Sequence, residues 1–91
     1  MAVIHAAATI VAANLKTVLF VCVHNAGRSQ MAAGFMKTYG AGKVEVLSAG
    51  SAPKDSINQI AIEAMAEVGI DIENNVPKIL TDEPVITSDV V

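Results

Sequence analysis

The chain alternates between segments with the period of a strand and segments with the period of a helix. Residues 17–21 are apolar on both faces, as buried parallel strands are. Residues 43–48 alternate apolar and polar side chains and predict a second strand, and residues 88–91 resemble the start of a third. A helical pattern separates the first two strands. This order predicts a βαβ unit with a parallel sheet and a right-handed crossover.

Two helices are predicted from apolar residues at helical spacing, and a third from acids in its first turn at residues 81–84. The first presents a stripe of large side chains, Met31, Phe35 and Tyr39. The second presents a longer stripe, Ile57, Ile60, Ala61, Ala64, Met65 and Val68. Ser56 and Gln59 are expected to form a capping box at its start, and Gly69 to end it in the left-handed conformation. Residues 70–78 are polar and predict turns.

Length and composition limit the classes of protein that this chain can be. Ninety-one residues with 53% apolar side chains predict one folded domain over residues 17–91, preceded by an extension over residues 1–16. A net charge of −3 leaves no basic face for nucleic acid. The apolar N-terminus is too short to span a bilayer and lacks the basic start of a signal peptide, so no membrane association is expected. A single cysteine excludes a disulfide framework and fits a cytoplasmic protein.

Residues 22–29, Cys-x5-Arg-Ser, connect the first predicted strand to the first predicted helix. Cys22 follows the carboxyl end of a parallel strand, where open α/β sheets place their ligands. A loop that enters a helix N-terminus can turn several N–H groups toward one anion. We therefore expect an oxyanion site formed by Val23, His24, Asn25, Ala26, Gly27 and Arg28. The helix dipole favours the thiolate over the thiol, which makes Cys22 a candidate nucleophile.

Other side chains of this loop have separate expected roles. Arg28 offers a planar set of donors for a tetrahedral oxyanion and keeps its charge. Asn25 tolerates the left-handed conformation and can brace the loop through its amide. Ser29 either donates a hydrogen bond to the Cys22 thiolate or caps the helix. For His24 two interpretations remain open, a role beside the ligand and a simple contact with solvent. Neighbouring metal ligands are missing, so neither a metal nor a bound cofactor is expected.

Residues 21–32, Val-Cys-Val-His-Asn-Ala-Gly-Arg-Ser-Gln-Met-Ala, resemble the anion loop of the low-molecular-weight protein tyrosine phosphatase superfamily. Within that superfamily, Ser-Gln-Met-Ala at residues 29–32 is similar to the arsenate reductases. The phosphatases usually carry Gly at the position of His24 and Cys at the position of Gly27, and often Pro at the position of Gln30. Three later segments are also similar to the family, residues 48–50, 67–72 and 77–83.

The resemblance implies a three-layer α/β/α fold around a parallel sheet of order 2-1-3-4, incomplete in this chain. It implies that Cys22 is the nucleophile, Arg28 the oxyanion clamp, and Asn25, Ser29 and Ser48 the support of the loop. An arsenate reductase of this kind attacks arsenate through its cysteine, and a second thiol completes the reduction. Because Cys22 is the only cysteine of these 91 residues, an external thiol or a redoxin is the expected reductant, unless relay cysteines belong to a C-terminal part outside this chain.

Two alternative functions remain open at the level of the sequence. The same thiolate attack on phosphotyrosine would give a phosphocysteine that water hydrolyses, so the chain is alternatively a phosphatase. The chain ends where the family's third strand begins and lacks the later Asp-Pro loop that carries the general acid. Its remaining aspartates are interpreted as turn or cap residues, Asp55, Asp71, Asp82 and Asp89. The second alternative is therefore a catalytically incomplete oxyanion-binding fragment. Open strand edges on an apolar chain predict a homo-oligomer.

Overall fold

A computed structural model describes residues 15–91 of the chain. The predicted extension over residues 1–16 lies outside the described residues except for its last two. The elements follow in the order β1 (Lys16–Cys22), α1 (Arg28–Tyr39), β2 (Val44–Gly50), α2 (Gln59–Glu67) and α3 (Asp82–Thr87). In this part of the chain, no helix combines the length and the apolar character needed to cross a membrane.

The two strands lie side by side and parallel, with α1 between them in sequence. This arrangement confirms the predicted βαβ unit. Strand β2 extends past its predicted end, because Ala49 and Gly50 stay in register with Val21 and Cys22. The pairing of Cys22 with Gly50 places the end of β2 directly beside the start of the loop that follows β1.

Further segments continue the sheet on both sides by single parallel bridges. Val90 pairs with Val18 of β1, and Ile79 pairs with Gly50 of β2. Beside β1, the backbone N–H of Leu19 donates to the Val90 carbonyl at 2.8 Å. The segment predicted to begin a third strand therefore lies next to β1, which agrees with the start of the order 2-1-3.

Helix α1 does not bury the stripe of large residues that its spacing indicated. Phe35 and Tyr39 are exposed and stack on each other with ring centroids 6.1 Å apart. The buried face is instead made of small and polar residues, Ser29, Gln30, Ala33 and Gly34. Space explains the correction, because a Cβ added at Gly34 would lie 2.9 Å from the Met65 methyl carbon. At Gly34 a larger side chain would crowd the side chains of the core, whereas Met31 packs against the core from its edge.

The apolar core gathers around α2. It contains Ile57, Ala61, Met65, Ile70 and Ile72. The predicted stripe of α2 is thus half right, since Ile60 and Val68 from the same stripe are exposed. Gly69 takes the left-handed conformation with φ 80°, as predicted for the residue that ends the helix.

The predicted capping box at the start of α2 is wrong. The helix begins at Gln59, and Asn58 is its N-cap, with Asn58 Oδ1 accepting from the backbone N–H of Ile60 at 2.8 Å. The backbone N–H of Asn58 donates to the carbonyl of Ala26 at 2.7 Å. This bond holds the chain extended through Asn58, so the helix starts two residues later than a cap at Ser56 would place it.

Candidate functional site

The turn after β1 wraps around the sulfur of Cys22. Ser29 Oγ lies 2.9 Å from Cys22 Sγ, and the backbone N–H groups of Ser29, Asn25 and His24 also hydrogen-bond to the sulfur. Partial burial by itself would raise the pKa of the thiol. The four hydrogen bonds together outweigh burial and hold the pKa of Cys22 below its ordinary value. The loop thus favours a thiolate, the form that acts as a nucleophile.

Asn25 is the centre of the loop. It is fully buried and adopts a left-handed φ of 48°, a conformation that asparagine tolerates better than most residues other than glycine. Its side-chain amide donates to Ser29 Oγ at 2.8 Å, and its Oδ1 accepts from the backbone N–H of Lys78 at 2.8 Å. Gln30 Nε2 donates to both the carbonyl oxygen and Oδ1 of Asn25, each at 3.1 Å. These bonds satisfy the buried amide and hold its left-handed backbone in place.

The orientation of the Ser29 hydroxyl follows from its two neighbours. Ser29 Oγ accepts a hydrogen bond from the Asn25 amide, so the oxygen is already oriented by a donor. A Cys22 thiolate carries no proton, and the short contact to its sulfur therefore requires Ser29 to donate. Of the two predicted roles of Ser29, the structure shows the thiolate contact, because the N-cap of α1 is Gly27 and lacks a side-chain cap bond.

Ser48 does not join this network. Within residues 15–91, the side-chain amide of Asn25 is bonded to Ser29, Gln30 and Lys78. Ser48 pairs in register with Phe20, two residues before the level of Cys22 and Gly50. That offset corresponds to about 7 Å along a strand, and in the described part of the chain the bonds to the Asn25 amide come from other residues.

Gly50, at the end of β2, lies in close contact with the loop. A Cβ at this position would lie 2.6 Å from the carbonyl oxygen of Val23 and 2.9 Å from the backbone nitrogen of Asn25. Both are backbone atoms that cannot move without moving the loop. Only glycine lets the end of β2 support the loop at this distance.

A cavity of about 280 Å³ opens above the sulfur. It is lined by Cys22, Val23, His24, Ala26, Gly27, Arg28, Lys54 and Asn58. The predicted oxyanion residues therefore line it, apart from Asn25, whose side chain lies buried in the network beneath. His24 lies at the cavity and is also exposed to solvent, so both of its interpretations remain compatible with its position.

Lys54 is a cavity residue that the sequence did not indicate. It belongs to the loop after β2, and its backbone N–H donates to the carbonyl of His24 at 3.0 Å. The cavity thus has two cationic side chains in its lining, Arg28 and Lys54. Helix α1 begins there without a side-chain cap bond and without an acid in its first turn. Cationic groups and free helix N–H groups favour a small oxyanion beside the thiolate.

Side chains that could bind a metal ion are not clustered in the described part of the chain. Across residues 15–91, no three His, Cys, Asp or Glu side chains come close enough together to hold a metal ion. The arrangement can instead bind a tetrahedral oxyanion and present a sulfur nucleophile to its central atom. This is the chemistry of covalent catalysis by cysteine.

Residues 17–91 match the family described as low molecular weight phosphotyrosine protein phosphatase. The chain is 53% identical over 58 residues to the glutaredoxin arsenate reductase of Synechocystis sp.. The aligned segment covers 64% of this chain and 44% of that protein. Two solved structures are similar in fold and sequence. The thioredoxin-dependent arsenate reductase of Corynebacterium glutamicum has a TM-score of 0.79 at 42% identity and matches 92% of this chain and 45% of its own. The low-molecular-weight protein tyrosine phosphatase of T. tengcongensis has a TM-score of 0.75 at 32% identity and matches 84% and 56%. The chain thus spans about half the length of these relatives.

Proposed function

Because the chain belongs to the low-molecular-weight phosphotyrosine protein phosphatase family, we propose that it uses Cys22 to attack an oxyanion, and that this oxyanion is arsenate. The observation that carries the proposal is the Cys22 sulfur, held by Ser29 and three backbone N–H groups beneath a cavity that Arg28 and Lys54 line. A thiolate needs stabilising donors to form near neutral pH, and a tetrahedral oxyanion needs cationic ones to be bound.

The Ser-Gln-Met-Ala segment supports arsenate over a phosphate ester through its resemblance to the arsenate reductases. Gln30 is almost completely buried and donates to Asn25 through both of its contacts with that residue. The segment that makes this chain similar to arsenate reductases therefore supports the loop from within. The similarity to the Synechocystis and C. glutamicum arsenate reductases supports the same assignment.

The proposed reaction begins with a bond between the Cys22 thiolate and arsenic(V). One arsenate oxygen leaves as water after protonation, and a Cys22–arsenic(V) adduct remains. An external thiolate then attacks the Cys22 sulfur, and the sulfur–arsenic bond breaks with its electron pair staying on arsenic, which leaves as arsenite. Cys22 is left in a disulfide with the external thiol, and a second thiol reduces it. Two thiols are oxidised for each arsenate reduced.

Both the thiol that attacks Cys22 and the thiol that reduces the disulfide come from outside these 91 residues in this proposal, because Cys22 is their only cysteine. The names of two similar proteins indicate two kinds of thiol donor. The Synechocystis protein is a glutaredoxin arsenate reductase, and the C. glutamicum protein is a thioredoxin-dependent arsenate reductase. The mouth of the cavity at His24 and Arg28 is exposed, so an external sulfur has access to the adduct.

Arsenite release from arsenate tests the proposal. We expect arsenite from the 91-residue chain with glutathione and glutaredoxin, or with thioredoxin and its reductase, and none from Cys22→Ser. Ser51→Ala is the matched control, since Ser51 is an exposed serine on the loop after β2. A folded chain that binds arsenate but releases no arsenite with either thiol system would contradict the proposal.

A phosphatase is the second candidate, and the similarity to the T. tengcongensis phosphatase favours it. The same thiolate and the same cationic cavity serve attack on phosphorus. Hydrolysis of an aryl phosphate that disappears in Cys22→Ser would establish this activity. Its absence across the pH range in which the chain stays folded would exclude it.

A further inference from the structure

The segment after α2 reaches the anion loop from the far side of β2. Its sequence indicates only polar turns, yet Asn75 Nδ2 donates to Gln30 Oε1 at 3.2 Å, and the Lys78 backbone N–H donates to Asn25 Oδ1. The segment is fixed on the sheet next to these contacts. The Lys78 carbonyl accepts from the Gly50 N–H, and the Gly50 carbonyl accepts from the Leu80 N–H, each at 2.8 Å.

The contact of Asn75 stabilises the orientation of the Gln30 amide that Asn25 requires. Gln30 has one amide with a donating and an accepting end, and Asn25 offers it two acceptors, the carbonyl oxygen and Oδ1. A Gln30 amide rotated by half a turn would place Oε1 against both acceptors. The donor on Asn75 binds Oε1 and so stabilises the orientation in which Nε2 faces Asn25.

Gln30 in turn affects the thiolate through a continuous set of hydrogen bonds. Asn25 keeps its left-handed backbone because its polar groups are bonded, and its amide orients the Ser29 hydroxyl. Ser29 then donates to Cys22. Gln30 is buried in the folded chain, so its amide depends on protein partners for its hydrogen bonds.

We propose that Asn75 is a positioning residue for the Cys22 nucleophile and that it acts through Gln30, Asn25 and Ser29. It touches neither the sulfur nor the cavity, and its effect is on the geometry of the loop. The proposal concerns the sulfur whichever oxyanion it attacks, so it does not depend on arsenate being the substrate.

The neighbouring residue Asn74 offers a matched control. It is also an exposed asparagine of the same turn, and it enters none of the side-chain hydrogen bonds found within residues 15–91. Substitution of Asn74 changes the composition and charge of the turn by the same amount as substitution of Asn75. Any difference between the two variants therefore reports on the contact with Gln30.

The test is the pH dependence of Cys22 alkylation by iodoacetamide in the 91-residue chain, with and without inorganic phosphate. For Asn75→Ala we expect the inflection to move to higher pH, and alkylation below the parent's inflection to slow by about threefold, the effect of one weakened hydrogen bond. Protection by phosphate should weaken to a similar extent. Asn74→Ala should match the parent. Equal profiles for both variants, or equal shifts in both, would overturn the proposal.

A second pair of variants separates positioning from folding. Asn75→Asp keeps the shape of the side chain and loses the donor, whereas Asn74→Asp adds the same charge one residue away. Only Asn75→Asp should shift the profile, and Asn75→Gln, which keeps a donor, should recover part of it. A purely structural role would lower the melting temperature and leave the profile unchanged, which would also overturn the proposal. These experiments do not measure arsenite release. Failure of the arsenate reductase assignment can therefore be distinguished from failure of the role proposed for Asn75.

Discussion

The core around α2 and the anion loop are both buried, but different forces hold them. Five apolar side chains fill the core, Ile57, Ala61, Met65, Ile70 and Ile72. Beneath the loop, the buried side chains are polar, Asn25, Ser29 and Gln30. Apolar contacts have no preferred direction, and their contribution grows with the area removed from water. Hydrogen bonds require a defined direction, and a buried group that loses its partner is left unsatisfied.

This difference indicates which substitutions the core tolerates and which substitutions the polar network does not. The core determines whether the chain folds, and it accepts changes of shape that conserve volume. The polar network determines where the sulfur and its donors lie, and each of its members has a task that a residue of similar size cannot replace. Substitutions in the core should therefore change stability, whereas substitutions in the network should change the chemistry of Cys22.

The largest effect on stability is expected in the core. Met65→Ala should lower the free energy of unfolding by about 2–5 kcal/mol, because the Met65 side chain is only 1% exposed and its loss leaves a cavity. Ile60→Ala is the control on the same helix, and with Ile60 75% exposed it should cost less than about 0.5 kcal/mol. Urea unfolding of both variants measures the difference. Equal losses would contradict the described packing of α2.

A smaller effect is expected where the core and the network meet the end of β2. Gly50→Ala places a Cβ against the backbone of Val23 and Asn25, which should cost about 1–3 kcal/mol and displace the loop. Arsenate should then no longer protect Cys22 from alkylation. Gly69→Ala is the control, because φ of 80° strains alanine there by about 1 kcal/mol while its Cβ meets open space. Retained protection in Gly50→Ala would show that the close contact is not needed.

The smallest change, removal of one hydroxyl, should act on the sulfur directly, and it also removes the acceptor of the buried Asn25 amide. Ser29→Ala deletes the side-chain donor that opposes burial, so the pKa of Cys22 should rise. Below the inflection, alkylation should slow by about tenfold, the effect of one hydrogen bond to a charged group. Ser51→Ala, which changes an exposed serine, should leave the rate unaltered. An unchanged pH profile in Ser29→Ala would mean that the backbone donors suffice.

The lowered pKa of Cys22 also predicts how stability depends on pH. The folded chain binds the thiol proton less tightly than the unfolded chain, so the thiolate stabilises the fold above the unfolded pKa. That contribution is lost as the pH falls through the folded pKa. Urea unfolding of Ser29→Ala across this range should show a weaker dependence on pH than the parent does.

The strands, the parallel pairing and the anion loop could be predicted because their signals are local. A run of apolar residues from 17 to 21 followed by Cys-x5-Arg-Ser contains the strand, the turn and the helix start within thirteen residues. Gly69 was predictable for the same reason, since a glycine after a helix indicates its own conformation. These features depend little on what the rest of the chain does.

The remainder depended on contacts between distant residues. The buried face of α1 is set by its approach to α2 at Gly34, which no pattern within α1 records. The start of α2 is set by the bond between Asn58 and the Ala26 carbonyl. Lys78 and Asn75 reach the loop from about fifty residues away, with sequence separations of 53 and 45 for their bonds. Sequence periodicity has no information on such pairs. The support role of Ser48 was implied by the family resemblance, whereas the bonds of Asn75 and Lys78 had no signal in the sequence.

The most direct test of the central claim is the pH dependence of Cys22 alkylation in the parent chain, with and without arsenate. If the loop holds a thiolate beneath an oxyanion cavity, the inflection will lie below the value of about 8.5 for an ordinary thiol, and arsenate will protect the sulfur. An inflection at the ordinary value with no protection by arsenate would contradict the claim that the loop forms a nucleophile site.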